Sequence, residues 1–303
     1  MTVNSSIEKI SSDQSKFLFV GTANLNKEYG VGKRSSVFDK NDLAKLFFEV
    51  ETNRNVFLDT AQSYDGVENL IGEIGGKKLD NKIITKISPT EFDTTKSIIN
   101  LVKKSLTNLN QNSLFGILLH DASILHSPNI NDLIQGLELC IQSGIVNNIG
   151  ISGYESTQIL SAAKKFSQLT TFQINENIID QRNFNNEDFD ALSNSNKNLF
   201  VRSVFLQGNL LVSDSEIIES LTPERKIFTS FKDFCERNNS SPIKVCLDYA
   251  KSITWSNGII VGVNSFDNYL EIMENFSTPI KISNFSIKTL RSFYSDPRNW
   301  IDS

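Results

Sequence analysis

Four residues with chemically active side chains lie at the ends of predicted β-strands or just beyond one. Asp59 ends the apolar run VFLD, Lys86 ends KIITK, and His120 ends FGILLH. Tyr64 follows Asp59 in the same short loop. Carboxylate, ammonium, imidazole and phenol groups are those from which enzymes build general acid–base chemistry. We therefore interpret these four residues as a candidate catalytic set.

Each of the four residues also has an ordinary structural explanation. An Asp after a strand commonly stabilises a turn, a Lys at a strand end is commonly solvated, and a Tyr commonly packs. His120 fits such an explanation less well, because the chain has only two histidines and this one closes an apolar run. The joint occurrence of all four, with three of them at the ends of successive predicted strands, favours a shared function.

Eight short apolar runs rich in Val, Ile and Phe recur along the chain and predict β-strands. They cover residues 17–22, 56–59, 82–86, 115–120, 147–152, 171–174, 199–203 and 258–262. None alternates cleanly between apolar and polar residues, which indicates strands covered on both faces, as in a parallel sheet. Catalytic groups in closed parallel barrels lie at the carboxyl ends of strands, where the candidate residues are found.

Segments with helical periodicity lie between the strands. Examples begin at Asn41, after Thr95 and after Ile130, and the last of them ends at Gly144, which is a suitable residue for ending a helix. Alternation of strand and helix throughout predicts an α/β fold, a (β/α)8 TIM barrel. A doubly wound open sheet is the competing architecture, but no GxGxxG follows the first strand.

Three stretches have the composition of loops inserted in the barrel. They are residues 24–40, 183–197 and 209–225, the last followed by a longer helical region in which Pro242 marks a second start. We expect residues 24–40 and 209–223 to form walls of the substrate site, because specificity in this fold lies in such loops.

Composition excludes several classes of function. At 303 residues the chain has enough apolar material for one large core, and a net charge of −5 argues against nucleic-acid binding. Three cysteines without CxxC spacing predict free buried thiols and no metal site. The first residues lack the apolar core of a signal peptide, and no run of residues is apolar enough for a membrane span. We therefore expect a cytoplasmic protein without membrane or nucleic-acid partners.

The segment LDTAQSYDGVENLIGE, residues 58–73, resembles the signature of the aldo-keto reductases, in which Asp-Thr-Ala precedes a Tyr and a helix carrying Glu. Other segments resemble the family in the same order: ITK, LLH, residues 144–152, 172–182, 201–211 and 258–270, and the closing DPRNW. The resemblance covers nearly the whole chain and is strongest to a bacterial branch often encoded among sugar and surface-polysaccharide genes. It implies one barrel domain, residues 1–303, that reduces an aldehyde or ketone, for example a sugar-derived one.

The resemblance implies a role for each candidate residue. Tyr64 would protonate the carbonyl oxygen, Lys86 would lower the pKa of Tyr64, and Asp59 would hold Lys86. His120 would orient the substrate oxygen by a hydrogen bond. The hydride would come from a nicotinamide cofactor.

The resemblance also implies cofactor-binding residues. Ser152 and Gln173 match positions that bind the nicotinamide carboxamide, although this chain has Gly153 where many members have Asn. Arg202, followed by Ser203, stands where relatives often stack an aromatic on the nicotinamide; a guanidinium can stack as well, and a surface Arg is the alternative.

Residues 262–268 correspond to the family segment that holds the adenosine phosphate. Gly262, Asn264, Ser265 and Asn268 fall in it, and all are neutral. Because NADP-selective members usually carry a cation here, we expect NADPH as the family cofactor with NADH also accepted.

Two other functions stay open. One is a cofactor-binding regulatory barrel with little turnover; the other is an aldolase-like barrel in which Lys86 forms a Schiff base. The small-molecule carbonyl substrate and the oligomeric state are not identified by the sequence.

Overall fold

The computed structural model of the protein describes residues 16–26 and 38–300. Its strands are β1 (Phe17–Gly21), β2 (Val56–Asp59), β3 (Ile83–Ile87), β4 (Gly116–Leu119), β5 (Ile149–Gly153), β6 (Thr171–Asn175), β7 (Asn198–Arg202) and β8 (Gly258–Gly262). All neighbouring strands are parallel, and pairing of β1 with β8 closes the barrel. Each predicted strand lies within two residues of an observed one, so the prediction of a (β/α)8 barrel is confirmed.

Helices follow the strands along the chain. They are α1 (Lys40–Thr52), α2 (Val67–Ile74), α3 (Thr95–Asn108), α4 (Ile130–Gln142), α5 (Ser156–Lys165), α6 (Glu187–Asn194), α7 (Arg225–Arg237), α8 (Pro242–Ser252), α9 (Phe266–Ser277) and α10 (Ser292–Ser295). Pro242 begins α8, and Gly144, just beyond α4, has φ +74°, a conformation that glycine adopts without strain. Both predicted boundaries are confirmed.

Helix α6 corrects the expectation that residues 183–197 form a loop. The side chain of Asn186 accepts hydrogen bonds from the backbone of Asp188 and Phe189, which satisfies the first turn. Phe189 is the only fully buried residue of this short helix. Periodicity could not reveal α6, because Phe189 and the partly buried Leu192 are too few apolar contacts to produce a repeating pattern.

A cluster of aromatic and aliphatic side chains fills the inside of the barrel beneath the carboxyl ends of the strands. It contains Phe19, Phe57, Ile84, Phe115, Leu118, Phe200 and Ile260. The ring centroids of Phe19 and Phe200 are 4.5 Å apart, and those of Phe57 and Phe115 are 4.7 Å apart. We call this set the phenylalanine plug; it makes the barrel interior solid below the site.

The alternation of side chains along the strands places the candidate site residues directly above the phenylalanine plug. Successive side chains of a strand point to opposite faces, so residues two apart point the same way. Asp59 stands two residues after Phe57, Lys86 two after Ile84, and His120 two after Leu118. The strands thus deliver these polar groups onto the top of the plug.

Most of the other buried hydrophobic side chains of the described chain form one large cluster, separate from the phenylalanine plug. Cys140, Cys235 and Cys246 are buried free thiols, as predicted. No helix within residues 16–26 and 38–300 is long and apolar enough to span a membrane.

Candidate active site

A cavity of about 890 Å³ opens at the carboxyl ends of the strands. Every strand contributes at least one residue to its lining, at or near the strand end, including Gly21, Asp59, Lys86, His120, Ser152, Gln173, Arg202 and Gly262. The other predicted site residues, Tyr64, Ser203, Asn264, Ser265 and Asn268, also line it. The structure therefore brings all of the sequence-predicted residues to one cavity, whose volume suits a cofactor or small molecule.

Asp59 and Lys86 form a buried ion pair on the cavity floor. Nζ of Lys86 lies 2.6 Å from Oδ2 of Asp59 and donates to the backbone carbonyl of Thr60 at 3.0 Å. The other carboxylate oxygen accepts from the side-chain amide of Gln173. Burial lowers the pKa of Lys86, and the charge of Asp59 opposes that effect. The carboxylate fixes the ammonium in place, which disfavours the Schiff-base alternative, since that chemistry needs a lysine without a tight carboxylate partner.

Tyr64 lies in the turn between β2 and α2, half-buried beside this pair. Gly66, at φ +71°, ends the turn and precedes α2. Nζ of Lys86 is 5.8 Å from the centroid of the Tyr64 ring. Burial raises the pKa of Tyr64, the charge of Asp59 raises it further, and Arg202 lowers it. Burial is the largest of these effects, so the pKa of Tyr64 lies above its ordinary value, and the lowering of that pKa by Lys86 stays a prediction.

His120 completes the group on the opposite side of Tyr64. Its ring centroid lies 6.1 Å from that of Tyr64 in an edge-to-face arrangement, and its Nδ1 is 3.2 Å from the hydroxyl of Ser63. Burial, with the charges of Lys86 and Arg202, lowers the pKa of His120 to about 4. The imidazole is therefore neutral at physiological pH and can share a hydrogen bond without carrying charge.

Ser152 and Gln173 face each other across the β5–β6 pair. They are partners in the strand register, and both are buried. Oε1 of Gln173 is buried without a hydrogen-bond partner among the described residues. A buried amide oxygen left in this state calls for a donor from a bound molecule, such as the amide of a nicotinamide.

Gly153 departs from the family's usual Asn for a steric reason. A Cβ at this position would lie 2.8 Å from Cδ1 of Ile159 and 3.4 Å from Cβ of Ala122. Helix α5 packs so closely behind the end of β5 that a side chain at this position requires the end of the Ile159 side chain to shift. The backbone carbonyl of Gly153 instead accepts a hydrogen bond from Arg202 at 3.3 Å.

Arg202 is half-buried and belongs to a stack of three side chains. Its guanidinium lies 4.1 Å from the ring centroid of Tyr154, and the guanidinium of Arg298 lies 4.1 Å from the same ring. Arg298 also contacts Asp296 at 2.7 Å and Asp121 at 3.1 Å. The surface-Arg alternative is excluded by the position of Arg202 in the cavity lining.

The start of α9 forms another part of the wall. The Ser265 hydroxyl accepts from the backbone N–H of Asn268 at 3.0 Å, and the Asn268 side chain accepts from the N–H of Asn264 at 3.3 Å. The positive end of a helix dipole favours an anion such as a phosphate. Gly262 leaves space, because a Cβ there would meet only the Asn24 side chain, at 3.8 Å.

Several lining residues escaped the sequence analysis. They are Ser63, Ser88, Asp121, Tyr154, Glu271 and Arg298. Asp121 and Tyr154 lie one and two residues beyond predicted positions, so scanning past each strand end would have found them. Of the wall expected at 209–223, Leu211, Val212, Ser213 and Glu216 line the cavity. Of the wall expected at 24–40, Asn24 lines the cavity, and residues 27–37 lie outside the described part. No group of three or more metal-binding side chains occurs in the described chain.

A closed eight-stranded parallel barrel with acid–base groups at its strand ends is the arrangement typical of TIM-barrel enzymes. The chain belongs to the aldo/keto reductase family, whose model matches residues 18–293. Family and fold together support carbonyl reduction with a nicotinamide cofactor in general terms. None of the curated proteins compared with the chain matches it.

Solved structures share the fold. An aldo-keto reductase from Bacillus halodurans in its holo form superposes with a TM-score of 0.65 at 20% identity, over 86% of this chain and 87% of that one. A thermostable aldo-keto reductase in complex with the inhibitor epalrestat gives 0.65 at 16% identity, over 86% and 90%. A putative aldo-keto reductase from Pseudomonas aeruginosa gives 0.61 at 16% identity, over 86% and 89%.

Proposed function

We propose that this protein reduces an aldehyde or ketone to the alcohol with NADPH or NADH, using Tyr64 as the general acid. The observation that carries the proposal is the buried Asp59–Lys86 pair at 2.6 Å, lying beside Tyr64 and His120 on one cavity floor. A phenol, a neutral imidazole and a fixed cation are what a developing alkoxide needs: a proton donor, an orienting hydrogen bond and a positive field.

Residues of the described chain fit a nicotinamide dinucleotide. The unpartnered Oε1 of Gln173, with Ser152 beside it, suits the carboxamide, and Arg202 and Ser203 line the same part of the cavity. The α9 terminus with Asn264, Ser265 and Asn268 suits the phosphate end. When bound, such a cofactor supplies the hydride.

Tyr64 holds the proton that the substrate oxygen receives. Because its pKa lies above the ordinary value, the phenol is fully protonated at physiological pH and ready to donate. His120 is neutral under the same conditions and orients the oxygen without competing as an acid. Lys86, fixed by Asp59, offers its charge when the proton has left Tyr64.

The substrate end of the cavity is polar, which supports a hydroxylated carbonyl compound such as a sugar derivative. Ser63, Ser88, Asp121, Tyr154 and Arg298 form this wall. A surface of hydroxyl, carboxylate and guanidinium groups matches a substrate rich in hydroxyls, because these groups can both donate hydrogen bonds to it and accept them from it.

One titration followed by one turnover measurement tests the proposal. Protein fluorescence is measured against NADPH and NADH, and a single turnover of the bound cofactor is then followed with a hydroxyaldehyde such as glyceraldehyde. Binding followed by cofactor oxidation supports the reductase, and Tyr64→Phe is the matched control. Tight binding without oxidation by any aldehyde favours the regulatory barrel. Borohydride trapping of a keto substrate on Lys86 favours the aldolase-like barrel.

A further inference from the structure

The cations that line the cavity differ in how their charge is balanced. Lys86 is neutralised by Asp59 at 2.6 Å, and Arg298 by Asp296 and Asp121 at 2.7 and 3.1 Å. Arg202, the remaining Lys or Arg of the lining, contacts a hydroxyl and a backbone carbonyl but no carboxylate among the described residues. Of the three lining cations, Arg202 is therefore the one whose positive charge no carboxylate of the described chain neutralises by direct contact.

Arg202 is restrained by neutral groups only. One terminal nitrogen donates to the backbone carbonyl of Gly153 at 3.3 Å, and the other lies 3.4 Å from the Ser203 hydroxyl. The ring of Tyr154 covers the guanidinium at 4.1 Å, and the buried Nε has no acceptor among the described residues. Neutral partners fix the side chain without cancelling its charge, so its field reaches the neighbouring groups.

We propose that Arg202 supplies the positive charge that favours the phenolate of Tyr64 and the neutral imidazole of His120, acting as an electrostatic positioning residue of the reaction. The part concerning Tyr64 rests on the proposed function, whereas the part concerning His120 does not. This electrostatic role is distinct from stacking of the Arg202 guanidinium on a cofactor ring, because it depends on charge and not on shape.

The charged and titratable groups around Tyr64 and His120 support this assignment. Burial is the largest effect and raises the pKa of Tyr64; among the charged and titratable groups, Asp59 on β2 and Tyr154 beyond β5 raise it further, and Arg202 on β7 lowers it. Burial is also the largest effect on His120 and lowers its pKa; Lys86 on β3 and Arg202 lower it further, and Asp59 and Asp121 oppose them. Arg298 is turned to Asp121 and Asp296.

Substitution of Arg202 by Met and by Lys separates charge from shape. Met and Lys have unbranched side chains of similar size, and only Lys carries the positive charge. A role in packing against a cofactor ring predicts similar defects in both variants. A role through charge predicts a defect in Arg202→Met that is substantially smaller in Arg202→Lys.

The first measurement needs no substrate or cofactor. The chain has only two histidines, so NMR can follow His120 with the exposed His126 as internal reference. We expect the midpoint of His120 to rise by about half a unit or more in Arg202→Met and to stay near the parent value in Arg202→Lys, with His126 unchanged in both. Equal His120 midpoints in the parent and Arg202→Met, or equal rises in both variants, would overturn the proposal.

The second measurement is the pH profile of alcohol oxidation, in which Tyr64 must accept the proton as phenolate. In Arg202→Met the alkaline limb should move to higher pH, and the rate at neutral pH should fall about three- to tenfold. Arg202→Lys should keep the parent profile. If Tyr64→Phe retains turnover, the proposed acid is wrong, yet the His120 titration still decides whether Arg202 supplies the field.

Discussion

The side-chain amide of Gln173 donates to Oδ1 of Asp59, a residue 114 positions earlier in the chain. Lys86 contacts the other oxygen of the same carboxylate. Gln173 therefore touches the ion pair with its nitrogen, while its oxygen is left without a partner in the described structure. One side chain connects the acid–base group to the part of the cavity proposed for the nicotinamide. In the proposed reaction, a single amide would therefore couple the chemistry to cofactor binding.

Tyr64→Phe should abolish carbonyl reduction while cofactor affinity stays nearly unchanged. The substitution removes the proton donor and leaves the ring in place beside His120. A loss of about a hundredfold or more, roughly 3 kcal/mol in the chemical step, is expected from general acid catalysis. Single-turnover kinetics and fluorescence titration of NADPH measure the two quantities. Near-parental turnover would show that another group donates the proton.

Asp59→Asn should move the alkaline limb of alcohol oxidation to lower pH. The carboxylate raises the pKa of Tyr64, and its removal also frees the charge of Lys86, so both effects favour the phenolate.

Lys86→Met deletes the positive charge and should reduce the rate about as much as Tyr64→Phe. Rate profiles of the two variants are compared with the parent's, and a shift of the Asp59 variant to higher pH contradicts this account.

Gly153→Asn, which restores the residue common in the family, should destabilise this protein by about 1–3 kcal/mol, because the new side chain overpacks the space against Ile159. Urea unfolding measures the loss. Gly153→Ala, which adds only the Cβ, should show a smaller loss, and shortening Ile159 to Val in the Gly153→Asn background should recover part of the stability. If the Asn variant is as stable as the parent, α5 or its Ile159 side chain shifts at little cost and the overpacking argument is wrong.

Stability should fall as pH rises toward 8 because of Glu176. Burial raises the pKa of this carboxyl from 4.5 to about 8, although it accepts hydrogen bonds from the Tyr249 hydroxyl and the N–H of Asn183. Its raised folded-state pKa means that its contribution is complete below about 4.5 and is lost as pH rises through 8.

The matched variant is Glu176→Gln, which stays neutral at every pH. Unfolding free energy measured from pH 5 to 8.5 should decline in the parent by an amount on the order of 3 kcal/mol or less, and the decline should be smaller in the variant. Parallel curves for the two proteins would assign the pH dependence to other groups.

NADPH and NADH should bind with affinities that differ by less than about tenfold. The α9 terminus presents neutral groups, whose hydrogen bonds are worth about 0.5–1.5 kcal/mol each with either cofactor. Glu271, on the same helix, lines the cavity and opposes an added phosphate. Glu271→Gln should therefore strengthen NADPH binding and leave NADH binding almost unchanged. A parental NADPH preference above about a hundredfold would contradict the prediction.

Sequence patterns predicted the barrel because buried parallel strands produce continuous apolar runs. A polar residue that closes such a run stands out, as Lys86 does after KIIT. The stack of Tyr154 between Arg202 and Arg298 could not be predicted, since the closing segment meets β5 and β7 only in the folded chain. The pKa shift of Tyr64 could not be predicted from the sequence either. Its direction depends on burial and on which carboxylate neutralises which cation, and both are known only from the fold.

The phenylalanine plug lies directly beneath the residues that line the cavity floor, and strand alternation fixes which residue of each strand joins which layer. A deletion of one residue within β3 would turn Lys86 out toward the helices and bring a neighbour of opposite orientation to the floor. Substitution at a strand tip, by contrast, leaves the layer beneath intact. The barrel therefore tolerates a change in its chemistry far better than a change in the spacing of its strands.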